Sequence, residues 1–219
     1  MTDLNPLFQV GLDVRHRICL VIGGNDEAED KCGRLLEAGA RVVLIATELT
    51  PTLTDWATQQ RLQWRRRGYE AGDLDDAFLV MNTVRGGVEF CTRLFADAES
   101  LGVLVNTYDD IDHSHFGMGA LVSAGPLRLS VSTSNASPTL SARLRSDLER
   151  LFEGDFSAYL KALGQARAHL KEVIPDFPTR RQILHGLVEG ARLEGCFHVP
   201  VDWRERIDAV LALDTKKPG

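Results

Sequence analysis

The 219-residue chain is 44% hydrophobic and 26% charged, with a formal net charge of −6. That composition supports a real hydrophobic core, and the acidic balance excludes a general nucleic-acid binder, which carries a basic surface. No apolar run reaches the roughly 18 residues of a membrane span.

The four cysteines (Cys19, Cys32, Cys91, Cys196) are scattered without a CxxC pair, which predicts buried free thiols in a reducing cytoplasm rather than a zinc or disulfide framework. The start MTDLNPLFQVGLD lacks a basic, then apolar, signal pattern, so none is expected.

His16 to Ile22 is a short apolar run suited to a strand buried on both faces. Gly23-Gly24 ends it, and Asp26 to Ala38 carries a helical spacing through Ala28, Cys32, Leu35 and Leu36. Gly39 follows where a helix C-cap often places glycine. Arg41 to Ala46 reads as a second strand, Leu62 to Arg66 as a shorter, more polar third, and Ala77 to Met81 as a fourth. Gly87 to Ser100 reads as a helix and Val103 to Val105 as a fifth strand. Strands alternating with helices predict an α/β fold, a Rossmann-like parallel sheet with right-handed crossovers.

After Asn106 the pattern changes. Tyr108 to Gly119 is polar and turn-prone, and Ala120 to Val122 with Leu127 to Val131 reads as a β-hairpin through Gly125-Pro126. Ser137 before Pro138 reads as the N-cap of a long helix with an apolar stripe of Leu140, Leu144, Leu148 and Leu151. The rest is largely helical, with breaks near Gly154, Pro175–Pro178 and Gly195–Pro200. The expected division is a Rossmann-like domain at 1–107, a small β-containing segment at 108–153 and a helical domain at 154–219.

Gly23-Gly24-Asn25-Asp26-Glu27-Ala28 stands where a dinucleotide-binding turn belongs, between the first strand and the first helix. Glycines there let backbone N–H groups approach a pyrophosphate, which the helix N-terminus attracts. Asn25 replaces the middle glycine of the G-x-G-x-x-A form; asparagine tolerates left-handed backbone, yet its side chain fills space a pyrophosphate would use. Asp26 and Glu27 add negative charge, and Glu48, after the second strand, is placed to accept hydrogen bonds from an adenosine ribose. The same loop also reads as a strand-to-helix turn without a ligand.

Asp109, Asp110, Asp112, His113 and His115 crowd one short stretch. Imidazole and carboxylate suit a divalent metal in transit, although the spacing matches no closed metal site and a solvated loop explains it equally. The basic run Arg61, Arg65, Arg66 and Arg67 around Trp64 reads as a charged edge strand. No G-x-S-x-G elbow surrounds Ser132, Ser134 or Ser137.

Several ordered motifs carry a family resemblance. Asn5-Pro6-Leu7-Phe8 and Ile18 to Gly24 look like "P-L-F … V-L-V-V-G-G-G"; Leu35 to Val42 (LLEAGARV) matches the next segment almost letter for letter. Asp73-Leu74, then Val105-Asn106-Thr107-Tyr108-Asp109 against "V-N-V-V-D", then Gly125-Pro126-Leu127 through Ser132-Thr133 to Ser137-Pro138 and Ala142-Arg143-Leu144 continue it. On these the chain resembles the siroheme-synthase family, precorrin-2 dehydrogenases with sirohydrochlorin ferrochelatase activity, over roughly residues 5 to 153.

The resemblance implies NAD-dependent oxidation of precorrin-2 to sirohydrochlorin, then insertion of Fe²⁺, with Co²⁺ an alternative, to give siroheme. It implies that Asp109 is the catalytic acid–base residue and that Gly23, Gly24, Asn25, Asp26, Ala28, Glu48, Asn82 and Thr83 lie beside NAD. Asn106, Ser132, Thr133 and Arg128 would meet the tetrapyrrole, with Arg143 and Arg145 further candidates for its carboxylates, while His113 and His115 would guide the metal. It further implies a cytoplasmic homodimer built on 108–153, a helical domain that covers the tetrapyrrole, and no nucleic-acid or membrane partner. The family often fuses a methyltransferase, for which this chain has no room.

The chain departs from the pattern at Asn25, at Met81-Asn82-Thr83-Val84 in place of "A-T-D-D", at Ser134-Asn135 and at Gly119. The first two fall on the NAD side. Two alternatives follow: a chelatase alone (Fe, Co or Ni) on a degraded NAD site, or a non-enzymatic tetrapyrrole-binding protein.

Overall fold

Runs of consecutive buried residues in β1 (Ile18–Ile22), β2 (Arg41–Ile45) and β4 (Leu79–Asn82) demand cover on both sides of a sheet. The computed structural model, which describes residues 7–85, 87–134 and 136–195, provides it. The motif residues Asn5, Pro6 and Asn135, together with Cys196, Pro200 and the tail Lys216–Gly219, lie outside the described residues.

With β3 (Gln63–Arg65) and β5 (Leu104–Thr107), these strands form one parallel sheet in the order β3-β2-β1-β4-β5. Alternate residues feed two apolar layers. Cys19, Val21, Val42, Leu44, Leu79 and Met81 pack on one face with Ala28, Cys32 and Leu35 of α1 (Asp26–Glu37) and Leu53 of α2 (Pro51–Thr58). Leu20, Ile22, Val43, Ile45, Val80 and Val105 pack on the other with Leu94 and Ala98 of α3 (Val88–Leu101) and Leu74 of a 3-10 turn at Ala71–Leu74.

The expected strands and helices are present, with α2 as an addition that the apolar spacing does not announce. Its signal was chemical: the Thr50 hydroxyl accepts the Leu53 N–H at 3.2 Å and Pro51 opens the helix. Gly39 takes the left-handed conformation (φ 82°) after α1, as a terminating glycine should. The third strand is shorter than expected and sits on the sheet edge, where charged residues belong.

β6 (Ala120–Ala124) and β7 (Leu127–Val131) form a separate two-stranded sheet turning at Gly125-Pro126. α4 runs Pro138–Leu151, and Ser137 caps it, its hydroxyl accepting the Leu140 N–H at 3.2 Å. The described chain gathers into two compact units: one through Val122 plus Leu129–Arg145, the other Ser123–Arg128 plus the stretch from Ser146. In the second, α5 (Phe156–Val173) and α6 (Phe177–Leu187) are tied by the Tyr159 hydroxyl donating to the Leu187 carbonyl at 2.8 Å. No helix among the described residues is long and apolar enough to cross a membrane.

Candidate active site

Strand order reverses between β1 and β4, so the carboxyl ends of these strands flank a topological switch point, where open parallel sheets receive ligands. The β1–α1 turn (Gly23 to Asn25), the β4 end (Asn82, Thr83) and, one strand further out, the β5 end leading to Asp109 all lie on that edge. Glu48 follows β2 on the same edge and is exposed.

Gly23 has φ 113°, and a Cβ there would stand 2.3 Å from Thr83 Oγ1; a Cβ on Gly24 would stand 1.9 Å from the Glu48 carbonyl oxygen. Both glycines are therefore required by the chain's own close packing. Asn25 does not use the left-handed conformation that its residue type allows. It is extended (φ −91°, ψ −178°) and acts as the N-cap of α1, its Oδ1 accepting the Ala28 N–H at 3.0 Å. Its Nδ2 donates to the Thr83 carbonyl at 3.2 Å, while the Thr83 hydroxyl lies 3.2 Å from Asn25 Oδ1 and donates to the Ile22 carbonyl at 2.9 Å.

Asp26, Glu27 and Glu29 crowd the first turn of α1. Lys31 holds Glu27 at 2.5 Å, and Glu29 accepts from the Thr50 hydroxyl at 2.8 Å. Asp26 is exposed and has no ion pair among the described residues.

Asn82 is buried, with Oδ1 accepting the Val84 N–H at 3.0 Å and Nδ2 turned to Cys91 Sγ at 3.7 Å. Asn82 and Thr83 thus shape the end of β4, and neither presents a side chain free of internal partners. Thr107, facing Asn82 across the sheet register, has a buried hydroxyl without a partner among the described residues.

Asp109 has φ 55°, in the left-handed region that non-glycine residues rarely visit, and is exposed with no side-chain hydrogen bond or ion pair among the described residues. Its carboxylate therefore makes no contribution to packing and stands open at the carboxyl edge of the sheet. Beside it stands a feature the sequence did not single out: Arg85, after β4, donates to the Tyr108 hydroxyl at 2.9 Å and stacks over its ring at 4.7 Å. An arginine just past one strand and an aromatic just past the next was the available signal.

The histidines are engaged within the protein. His113 Nδ1 pairs with Asp110 Oδ2 at 2.8 Å and Nε2 with Thr92 Oγ1 at 3.0 Å. His115 Nδ1 accepts the Val105 N–H at 3.1 Å, which leaves its proton on Nε2, 2.5 Å from Glu99 Oε1. Both rings lie against Phe95, and no group of three or more His, Cys, Asp or Glu side chains among the described residues is placed to hold a metal ion.

Asn106 is half-buried and donates to the Phe116 carbonyl at 2.8 Å. Thr133 bonds Ser137 and Ser141 at the start of α4, and Ser132 accepts the Ser134 N–H at 3.2 Å. Arg128, in the other compact unit, is exposed and donates to the carbonyls of Gly125 and Leu127.

The basic run resolves into structure. Arg65 and Arg67 both bind Asp73, whose side chain is 2% exposed, and the Glu70 N–H donates to it at 2.9 Å. Burial alone would push the Asp73 carboxyl up, but the Arg67, Glu70 and Arg65 hydrogen bonds hold it at about 2. Trp64 donates from its indole to the Ala46 carbonyl at 2.9 Å, a packing role rather than a base-stacking one.

A family model described as "Putative NAD(P)-binding" matches residues 10–120. The chain is 31% identical over 183 residues to a protein named siroheme synthase from Chromobacterium violaceum, covering 84% of this chain and 39% of that one. It is 32% identical over 188 residues to siroheme synthase 1 of Klebsiella pneumoniae subsp. pneumoniae, covering 86% and 39%. The chain therefore spans about two fifths of the length of these curated relatives. A solved structure titled "SirC, precorrin-2 dehydrogenase" superposes with a TM-score of 0.70 over 94% of this chain and 100% of that one, at 21% identity, a likeness of fold.

Proposed function

The chain belongs to the family described as "Putative NAD(P)-binding", and on that premise we propose that it acts in siroheme biosynthesis, oxidising precorrin-2 to sirohydrochlorin with NAD. The observation that carries the reading is the convergence of the β1–α1 turn, the β4 end and the strained, unpaired Asp109 on one carboxyl edge at the switch point. The similarity to siroheme synthases supports the substrate class.

The strand–turn–helix frame fits a dinucleotide, against two local obstacles: the Asn25 side chain already takes the Ala28 N–H, and acidic residues crowd the first turn of α1. The Gly23 to Ala28 turn would hold the pyrophosphate, and Glu48 the adenosine ribose. When bound, NAD supplies the acceptor for a hydride. Asp109 does the proton work: its exposed carboxylate takes the proton released as the macrocycle is oxidised. In a second activity that we assign to the same residue, it receives pyrrole protons as Fe²⁺, the substrate metal, enters sirohydrochlorin. Asn106, Ser132 and Thr133 are assigned to the tetrapyrrole. The apolar stripe of α4, with Leu140 and Leu151 exposed, is assigned to a homodimer contact.

Chelatase activity without oxidation is the second reading, and the Asn25 bridge to Ala28 and Thr83 favours it. Two anaerobic absorbance assays separate the readings: precorrin-2 with NAD⁺, and sirohydrochlorin with Fe²⁺ or Co²⁺. NAD-dependent sirohydrochlorin formation is expected in the first. A response in the metal assay alone would overturn the dehydrogenase in favour of the chelatase.

A further inference from the structure

We propose that Asn25 is an intramolecular latch: its side chain occupies the helix-end seat of the coenzyme, so that opening it tightens NAD(H) binding. The inference rests on the NAD reading above and adds the residue that sets the affinity.

Asn25 Oδ1 satisfies the Ala28 N–H at 3.0 Å, a donor that an anion at the α1 N-terminus would otherwise use. The other half of the carboxamide reaches across the switch point, Nδ2 donating to the Thr83 carbonyl at 3.2 Å. Thr83 is itself fixed, its hydroxyl donating to the Ile22 carbonyl at 2.9 Å and lying 3.2 Å from Asn25 Oδ1. The bridge thus ties the β1–α1 turn to the end of β4, the two segments between which a dinucleotide would lie.

A pyrophosphate is a charged acceptor and bonds N–H groups more strongly than a neutral amide oxygen does. It can displace Asn25, but binding then carries the loss of the bridge's hydrogen bonds. The exposed Asp26, without an ion pair among the described residues, acts in the same direction by repulsion. A glycine at position 25 removes the bridge and clears the space, and glycine is well tolerated at an N-cap.

The test is an equilibrium NADH fluorescence titration of the full chain and its Asn25→Gly and Thr83→Val variants, with thermal melts to establish that each is folded. Asn25→Gly is expected to lower Kd about tenfold, the scale of one or two net hydrogen bonds, and Thr83→Val, which keeps shape and loses the hydroxyl, by a smaller factor. If wild type binds NADH and folded Asn25→Gly binds no tighter, the latch is overturned and the NAD reading stands. Weaker binding by Asn25→Gly would show instead that Asn25 holds the coenzyme directly. No binding by any of the three proteins overturns both the latch and the NAD reading. Should Asn25→Gly fail to fold, Asn25→Ala, which also removes the carboxamide, decides: tighter binding supports the latch and an unchanged Kd overturns it.

Discussion

Asp109 and Asp73 show how far a carboxylate's surroundings separate its roles. Asp109 is exposed, strained and without an internal partner, so nothing in the fold depends on its charge. Asp109→Ala is expected to leave the melting temperature within about 2 °C of wild type, and to lower kcat for precorrin-2 oxidation by about a hundredfold or more, the usual contribution of a placed acid–base group. A steady-state assay beside a thermal melt checks both.

Asp73 is the opposite case, buried between two arginines and held at about 2 against an ordinary 3.8. A depressed folded-state value means the ionised form favours the fold. Its contribution is complete above about pH 4 and is lost as pH falls toward 2. Asp73→Asn is expected to destabilise the protein by about 1–3 kcal/mol near neutrality, since a neutral amide cannot accept from both half-exposed arginines as the carboxylate does. It should also flatten the fall in stability between pH 4 and 2, as urea melts across that range would show. From sequence, Asp73 was legible only as half of a two-letter resemblance, because the arginines that give it meaning lie eight and six positions away, at the end of an edge strand and just past it.

At the scale of elements, the strands were legible because a sheet covered on both faces leaves continuous apolar runs such as Cys19 to Ile22. Helix α1 was legible from Ala28, Cys32 and Leu35 at helical spacing, and these three are the residues it buries. α2 was not, since only Leu53 of its eight residues is buried and the apolar period has too few points to register. The turn at Asn25 was legible as a glycine-loop position but not in its geometry. Residue type permits a left-handed backbone there, and the competing demand for an N-cap won.

Packing makes two further predictions at this scale. Leu94 of α3 is fully buried against the sheet, so Leu94→Ala is expected to destabilise by about 2–5 kcal/mol in a chemical melt. Burial pushes the Cys19 and Cys32 thiols up to about 11 and 12 and raises Cys91 as well. In a Cys196→Ser background, a thiol reagent at neutral pH is therefore expected to label the folded protein slowly and the denatured protein at once.

For the molecule as a whole, alternating strands and helices prescribed a parallel sheet, and the observed order β3-β2-β1-β4-β5 places its reversal beside the glycine turn. The placement of the candidate site was legible where residues follow the strand ends, at Gly23, Asn82 and Asp109. It was illegible where it depends on tertiary partners: His113 and His115 suggest metal ligands in sequence, yet their rings are spent on Asp110, Thr92, Val105 and Glu99.

If this edge performs an NAD-dependent oxidation with Asp109 as its acid–base group, NADH formation is coupled to precorrin-2 loss and depends on that carboxylate. The most direct test follows NADH formation and precorrin-2 loss together, without oxygen, for the wild-type chain and Asp109→Ala. One NADH is expected for each precorrin-2 consumed by the wild type, with the variant slower by about a hundredfold or more. Precorrin-2 loss without NADH, or equal rates for the two proteins, would contradict this expectation.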